Sequence, residues 1–341
     1  MDPNTVMEAA AESAKAMTKF QEIVQRIFNP RWTKKQADAD MDVYERKIQF
    51  IREHPDMDIV FVGDEMHARK ATPEELSARA EQRMLADAVR QENNIENVLN
   101  NTVRELQETK AAADQSIDDD WFARFFNIVK DVSNEEMQYI WGKILAGEIA
   151  SPKSFSLRTL ETLRNMSTAE AQVFQRIIPL VVHSGSSYFI SSSNETLEKC
   201  GSSFADVLTL DECGLLNSSG TLSLNLSLTK SENEVILGTD YLIMLKGLSV
   251  EKEEMRIGIH TLTKAGIELY QILSHSINEQ YAWTVERYMW TFAQQIFEGN
   301  GNRAQISVHK LVSLRHNGKN DSVEYEQEPI VLFGAETTAV S

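Results

Sequence analysis

Between Trp121 and Phe174 the chain reads WFARFFNIVKDVSNEEMQYIWGKILAGEIASPKSFSLRTLETLRNMSTAEAQVF, a stretch with almost nothing from which a loop could be built. Trp121, Phe122, Phe125, Phe126, Val129 and Val132 recur at three- and four-residue steps, which predicts a helix with one broad apolar face. Ser133-Asn134-Glu135-Glu136 then caps a second helix, whose Met137, Ile140, Trp141, Ile144 and Leu145 keep the same period until Gly147 permits a stop. Ser167-Thr168-Ala169-Glu170 is a capping box for another helix, carried by Val173, Phe174, Ile177 and Ile178 and ended by Pro179. Such density of aromatic and capping residues specifies a packed helical core over residues 116–179, with Trp121, Phe125 and Trp141 as structural residues rather than a ligand box. Arg158, between Leu157 and Leu160, is expected to survive in an apolar helix by pairing with Glu135, Glu136 or Glu148.

Upstream the chain reads as a helical arm over residues 1–115. Met17, Phe20, Val24, Ile27 and Phe28 are spaced as one helical stripe, and Asn29-Pro30 breaks it. Cations Lys19, Arg26, Arg31, Lys34 and Lys35 interleave with Phe20, Phe28 and Trp32. Met17, Phe20, Val24, Ile27, Phe28 and Trp32 are therefore the candidate partner-binding residues, their stripe covered by another helix or a second copy of the chain. Peripheral membrane contact through 17–35 is the less favoured alternative. A short strand is expected at Ile59-Val60-Phe61-Val62. Thr72-Pro73-Glu74-Glu75 writes out a helix start, with Thr as N-cap, Pro at the first position and Glu closing the box. From there nothing interrupts the helix to about Ala113. Its discontinuous stripe of Leu76, Ala80, Met84, Ala88, Ile95, Val98, Leu99, Thr102, Val103 and Leu106 calls for a bundle or a second subunit.

After Pro179 the period changes. Leu180-Val181-Val182-His183 and Tyr188-Phe189-Ile190 flank Ser184-Gly185-Ser186-Ser187 as a hairpin. A helix from Ser203 to Cys213 ends where Gly214 supplies a left-handed residue. Leu222, Leu224, Leu226 and Leu228 alternate with polar neighbours as a half-buried strand. Tyr241 to Leu245 and Arg256 to His260 add further strands, and Leu262-Thr263-Lys264-Ala265-Gly266 opens a helix that Gly266 would let approach the sheet closely. Helix, Gly-Leu-Leu, strands and helix in this order predict a winged-helix-like module over 180–280. Tyr281 to Phe297 is one more amphipathic helix, and Ile306 to Phe333, turning at Asn317-Gly318, a strand hairpin, so that 281–341 forms a C-terminal helix and hairpin. The fold class is mainly α with a smaller β component, α+β.

Chemistry is harder to find. The chain has no P-loop, GxGxxG, HExxH or GxSxG, and its seven histidines show no ligand spacing. His183 beside Ser184 is the nearest approach to a base and nucleophile, but neighbours in a strand point to opposite faces. Asp118-Asp119-Asp120 suits a helix start, where carboxylates complement the macrodipole; no second acidic motif supports a metal. Neither a cofactor nor a catalytic residue is expected. A formal charge of −17 disfavours nucleic acid. Two cysteines without CxxC spacing, no signal-like N-terminus and no long apolar run point to a reducing cytoplasm.

Trp121-Phe122, Arg124-Phe125-Phe126, Asp131-Val132-Ser133-Asn134-Glu135-Glu136-Met137, Trp141 to Ile149 and Ser154 to Leu160 together resemble a bacterial family, domain of unknown function 2806. Arg90-Gln91-Glu92, Asn94-Ile95, Val98, Gly214-Leu215-Leu216 and the Leu262 to Gly266 element look like the same family, so the similarity spans roughly Arg90 to Ile296. The resemblance implies no activity and no catalytic residue. The kind of accessory protein it resembles sets the expectation of a bacterial antiphage or stress response. The sequence thus points to a non-enzymatic interaction or sensor protein that binds another protein or a second copy of itself through its helical arm. Its alternatives are a winged-helix DNA-binding regulator, or an enzyme whose site is assembled only by the fold. Against DNA binding, Ser203 to Cys213 carries Asp206, Asp211 and Glu212 but no Lys or Arg.

Overall fold

The computed structural model describes residues 15–25, 59–62, 65–68, 72–108, 116–273, 279–300, 303–317 and 320–334, in two compact units, Met1–Ser154 and Phe155–Ser341. The first unit holds helix α1 (residues 15–25), the antiparallel hairpin of β1 (Ile59–Val62) and β2 (Glu65–Ala68), and helices α2 (Pro73–Glu108), α3 (Asp119–Val129) and α4 (Glu135–Ala150). The starts of the last three are fixed locally. Thr72 and Glu75 exchange backbone and side-chain hydrogen bonds at 3.1 and 3.3 Å. Asp118 accepts from the backbone N–H groups of Asp120 and Trp121, each at 3.0 Å, and Asn134 accepts from that of Met137 at 3.0 Å.

The expected aromatic core is present in this unit. Trp121 stacks on Phe125 at 5.2 Å, and Phe125 meets Trp141 edge-on at 5.6 Å, with all three buried. α2 packs along α4 at Gly142, where an added Cβ would come within 2.6 Å of the Asn101 Cβ. A buried amide network joins α2 to the turn between α3 and α4. Asn94 donates to the Lys130 carbonyl at 2.9 Å and to Ser133 Oγ at 3.1 Å, while accepting from Gln138 at 3.2 Å. Gln138 also donates to the Val132 carbonyl at 2.8 Å, and Gln91 donates to Asp131 at 3.1 Å. The Arg90-Gln91-x-x-Asn94 motif is thereby a clamp on the 130–133 turn.

The second unit begins with α5 (Leu157–Asn165) and α6 (Thr168–Ile177). The division at Ser154 therefore falls inside the segment 116–179 expected as one core. Within this unit the buried carboxylate of Glu268, on a later helix, accepts from the Ser156 backbone N–H at 2.8 Å and from the Thr159 hydroxyl, fastening the start of α5. β3 (Val182–Ser184), β4 (Ser187–Ser191), α7 (Asn194–Lys199), α8 (Phe204–Glu212), β5 (Leu216–Asn217), β6 (Ser223–Leu228), β7 (Asn233–Leu237), β8 (Tyr241–Gly247), β9 (Glu253–Leu262), α9 (Lys264–Leu273), α10 (Glu279–Gly299), β10 (Ala304–Asn317), β11 (Asn320–Tyr325) and β12 (Val331–Phe333) follow.

The fold is α+β, and its β part is one large antiparallel sheet of ten strands in the order β11-β10-β8-β7-β3-β4-β9-β5, with β12 on β10 and β6 on β9. This sheet runs through both 180–280 and 281–341. β10 and β11 form the expected C-terminal hairpin, Asn317 opposite Asn320, and β8 pairs with β10, Ile243 opposite Val308, which joins that hairpin to the sheet. β7, absent from the sequence reading, supplies the link between β8 and β3. At the end of α8, Gly214 adopts φ of +71°. Leu215 N–H then reaches the Leu210 carbonyl at 2.8 Å and Gly214 N–H reaches that of Asp211 at 2.9 Å, the paired bonds of a Schellman motif. Gly266 opens α9 against the Leu215 carbonyl oxygen, which a Cβ would strike.

Candidate functional site

Helix α10 carries two apolar faces. Val285, Tyr288, Met289, Phe292, Ala293 and Ile296 are buried. Tyr288 stacks on Phe292 at 5.6 Å, Phe292 reaches Phe189 of β4 at 6.5 Å, and the Tyr288 hydroxyl accepts from the Ser191 backbone N–H at 2.7 Å. Burial drives the Tyr288 phenol far above its ordinary range, so it stays protonated.

The opposite face presents Trp283, Arg287 and Trp290, at steps of four and three residues. Trp283 is 63% exposed and Trp290 43% exposed, unusual for the largest apolar side chain. With Glu286, Val308 of β10, Ile330 and Val331 they line an open groove of about 180 Å³. Its far wall is held in place: the Ile330 N–H donates to the Val308 carbonyl at 2.8 Å, and Phe333 stacks on Phe297 at 5.6 Å. The Arg287 guanidinium lies over the Trp283 ring, 4.9 Å from its centre. Glu286 accepts from the Tyr241 hydroxyl at 3.2 Å. Burial and that carboxylate together push the Tyr241 phenol up.

The sequence-predicted residues lie elsewhere. Phe20 is buried, together with Ala16 and Ile23, while Met17 and Val24 are half-buried; Ile27, Phe28 and Trp32 lie outside the described residues. The seam of α2 is covered over its second half, where Ile95, Val98, Leu99, Thr102 and Leu106 are buried. Its first half is not: residues 81–90 are exposed in unbroken succession, with Leu85 at 69% and Val89 at 54%. Arg158 is a correction. It is exposed on α5 and has no ion pair among the described residues, because Thr159, Leu160 and Leu163 form the buried face and Arg158 turns away from it. Glu148, one of its expected partners, is buried and accepts from the Lys153 N–H at 2.6 Å.

The other chemistry-bearing groups have structural surroundings. His183 stacks on Tyr188 at 4.9 Å, with Nδ1 3.3 Å from the Gly185 carbonyl oxygen, across the β3–β4 turn. Cys200 and Cys213 are free thiols; burial, joined at Cys213 by the Glu170 carboxylate, pushes each up to about 11. Asp118 is occupied as the cap of α3. Among the described residues no group of three or more His, Cys, Asp or Glu is placed to hold a metal ion, and no helix is long and apolar enough to cross a membrane.

The groove on α10 escaped the sequence reading, which saw Tyr281 to Phe297 only as one more amphipathic helix. The signal was the second stripe: Trp283 and Trp290 fall opposite Tyr288 and Phe292, giving more apolar surface than one core face can use. The pattern of the family described as "Protein of unknown function (DUF2806)" matches residues 78–286, more than half of the chain, and the chain belongs to that family. No curated protein and no solved structure matches it. The matched span includes the Asn94 clamp, the aromatic core, the Gly214 turn and Gly266, all of them packing devices, and stops within α10.

Proposed function

We propose that this member of the DUF2806 family is a non-enzymatic interaction protein that self-associates through the first half of α2. The observation that carries the reading is the exposed run 81–90, in which Met84, Leu85 and Val89 lie open on a helix whose second half is buried. A second copy suits it on charge. Residues 73–90 hold four carboxylates and three arginines, in a chain whose formal charge is −17, so two strongly acidic molecules meet there with little repulsion. Light scattering on the full chain tests this: a dimer or higher mass is expected, and the double variant Leu85→Glu, Val89→Glu should revert to monomer. A wild-type chain that remains monomeric at micromolar concentration rules self-association out. A bacterial antiphage or stress setting, in a reducing cytoplasm, belongs to the same reading and rests on the family resemblance and the unpaired thiols.

A second reading concerns the 180–280 segment, where the order β4-β9-β5, with α6, α7 and α8 before β5, supports a winged-helix-like arrangement with β7 and β8 inserted in the wing. The helix that would enter a DNA groove is α8. It exposes Phe204, Leu208, Asp211 and Glu212, a surface suited to protein rather than phosphate. Fluorescence anisotropy with duplex DNA at low salt is expected to show no binding; salt-sensitive binding lost on charge reversal of α8 would restore the regulator reading.

A further inference from the structure

We propose that the groove between α10 and β12 binds a small aromatic monocarboxylate, its ring lying between Trp283 and Trp290 and its carboxylate held by Arg287. The size fits. At about 180 Å³ the groove is close to the engineered apolar cavities of about 150 Å³ that take up benzene, so it has room for one ring and little more. Its walls are largely apolar, with Trp283, Trp290, Val308, Ile330 and Val331 beside one anion, Glu286, and one cation, Arg287.

Arg287 then selects the head group. It has no carboxylate within ion-pair distance among the described residues; Glu286, its sequence neighbour, accepts from the Tyr241 hydroxyl at 3.2 Å and keeps its charge, so a ligand carboxylate sits on the Arg287 side of the groove. Stacking over Trp283, 4.9 Å from the ring centre, occupies the face of the guanidinium and leaves its N–H fork in the plane, where a carboxylate can bind in bidentate fashion. The same stacking disfavours an ammonium ligand, because the Trp283 face that a cation would seek already carries one. The rim also argues for a small molecule over a peptide. β12 is a strand of three residues, which gives a peptide backbone little edge to pair with. This inference is independent of self-association through α2, since the groove is built wholly within the second unit.

The test uses the full chain, following the indole N–H resonances of Trp283 and Trp290 by NMR, assigned through Trp283→Phe and Trp290→Phe. Phenylacetate should shift both signals saturably, and phenylacetamide and benzylammonium should bind at least about tenfold more weakly, as expected for loss of a charge-assisted pair. Arg287→Gln, an exposed substitution, should bring phenylacetate and phenylacetamide to equal affinity while leaving amide binding unchanged. Equal binding of acid and amide to the wild-type chain, or no saturable shift of either indole, overturns the proposal. So does a short peptide ending in Phe that binds more tightly than phenylacetate with the same Arg287 dependence, which would assign the groove to a peptide C-terminus.

Discussion

The carboxylate of Glu268, on α9, accepts the backbone N–H of Ser156 at 2.8 Å and so caps a helix more than a hundred residues earlier in the chain. Its Oε2 also accepts from the Thr159 hydroxyl, and Oε1 lies 3.6 Å from the Lys264 ammonium. Ser156 is the local N-cap of α5, its own Oγ accepting from the Thr159 N–H at 3.4 Å. Glu268 satisfies a further N–H of that helix start, and does so from a buried position. Burial without partners would be costly; the two donors satisfy Oε2, while Oε1 faces the Lys264 ammonium without a hydrogen bond among the described residues.

Glu268→Ala removes the acceptor and leaves the Ser156 N–H and the Thr159 hydroxyl without it. A loss of about 2–3 kcal/mol is expected in urea unfolding, the range for stranding buried polar groups. Glu268→Gln keeps an acceptor oxygen and should cost less than half of that. An Ala variant within error of wild type would mean that water replaces the carboxylate freely and that the cap contributes nothing.

Gly142→Ala is expected to destabilise the first unit although alanine is the better helix former. The new Cβ would come within 2.6 Å of the Asn101 Cβ and 3.1 Å of the Thr102 backbone nitrogen, so α2 and α4 must separate. Overpacking of this kind costs about 1–3 kcal/mol, more than the roughly 1 kcal/mol gained in propensity. Gly220→Ala serves as the control, since nothing lies within 4 Å of its Cβ position. Thermal unfolding of the two variants should separate them clearly, and equal midpoints would refute the close approach.

Two groups give the second unit distinct pH dependences. His260 is buried, and neither ring nitrogen has a hydrogen-bond partner among the described residues. Burial lowers its pKa from 6.5, against a smaller opposing pull from Asp211. The unfolded chain therefore binds a proton that the folded chain resists, and stability falls as pH drops below about 6.5. Asp206 acts at lower pH. Burial acts to raise its pKa, but the Arg176 guanidinium at 2.7 Å and the Ser203 N–H and hydroxyl outweigh it, leaving the pKa below 3.8. Its contribution is present above about 3.8 and is lost as pH falls further. Urea midpoints measured from pH 8 to pH 3 should show both declines, and His260→Leu should flatten only the upper one. A variant that keeps the decline below pH 6.5 would remove His260 as its cause.

Local chemistry made much of the fold readable. Thr72 with Glu75, Asn134, and Ser167 with Glu170 cap the helices expected of them, because a cap is settled by residues three positions apart. Gly214 occupies its left-handed turn for the same reason. Leu226 and Leu228 are buried on either side of exposed Ser227, as their alternation requires. The pattern failed where a face had to be chosen. Leu157 and Leu160 suggested a buried Arg158, yet a helix buries one side, and only packing decides which.

The sequence alone determined helix starts, turn glycines, strand periodicity and the aromatic stripes of the helices, since each depends on residues adjacent or one helical turn apart. Tertiary structure decided that β8 lies between β7 and β10, that Glu268 fastens α5, that half of the α2 seam stays open, and that Trp283 and Trp290 border a groove. Those outcomes require side chains far apart in the chain to compete for the same buried surface, and periodicity in a single segment shows which residues seek cover without showing what will cover them.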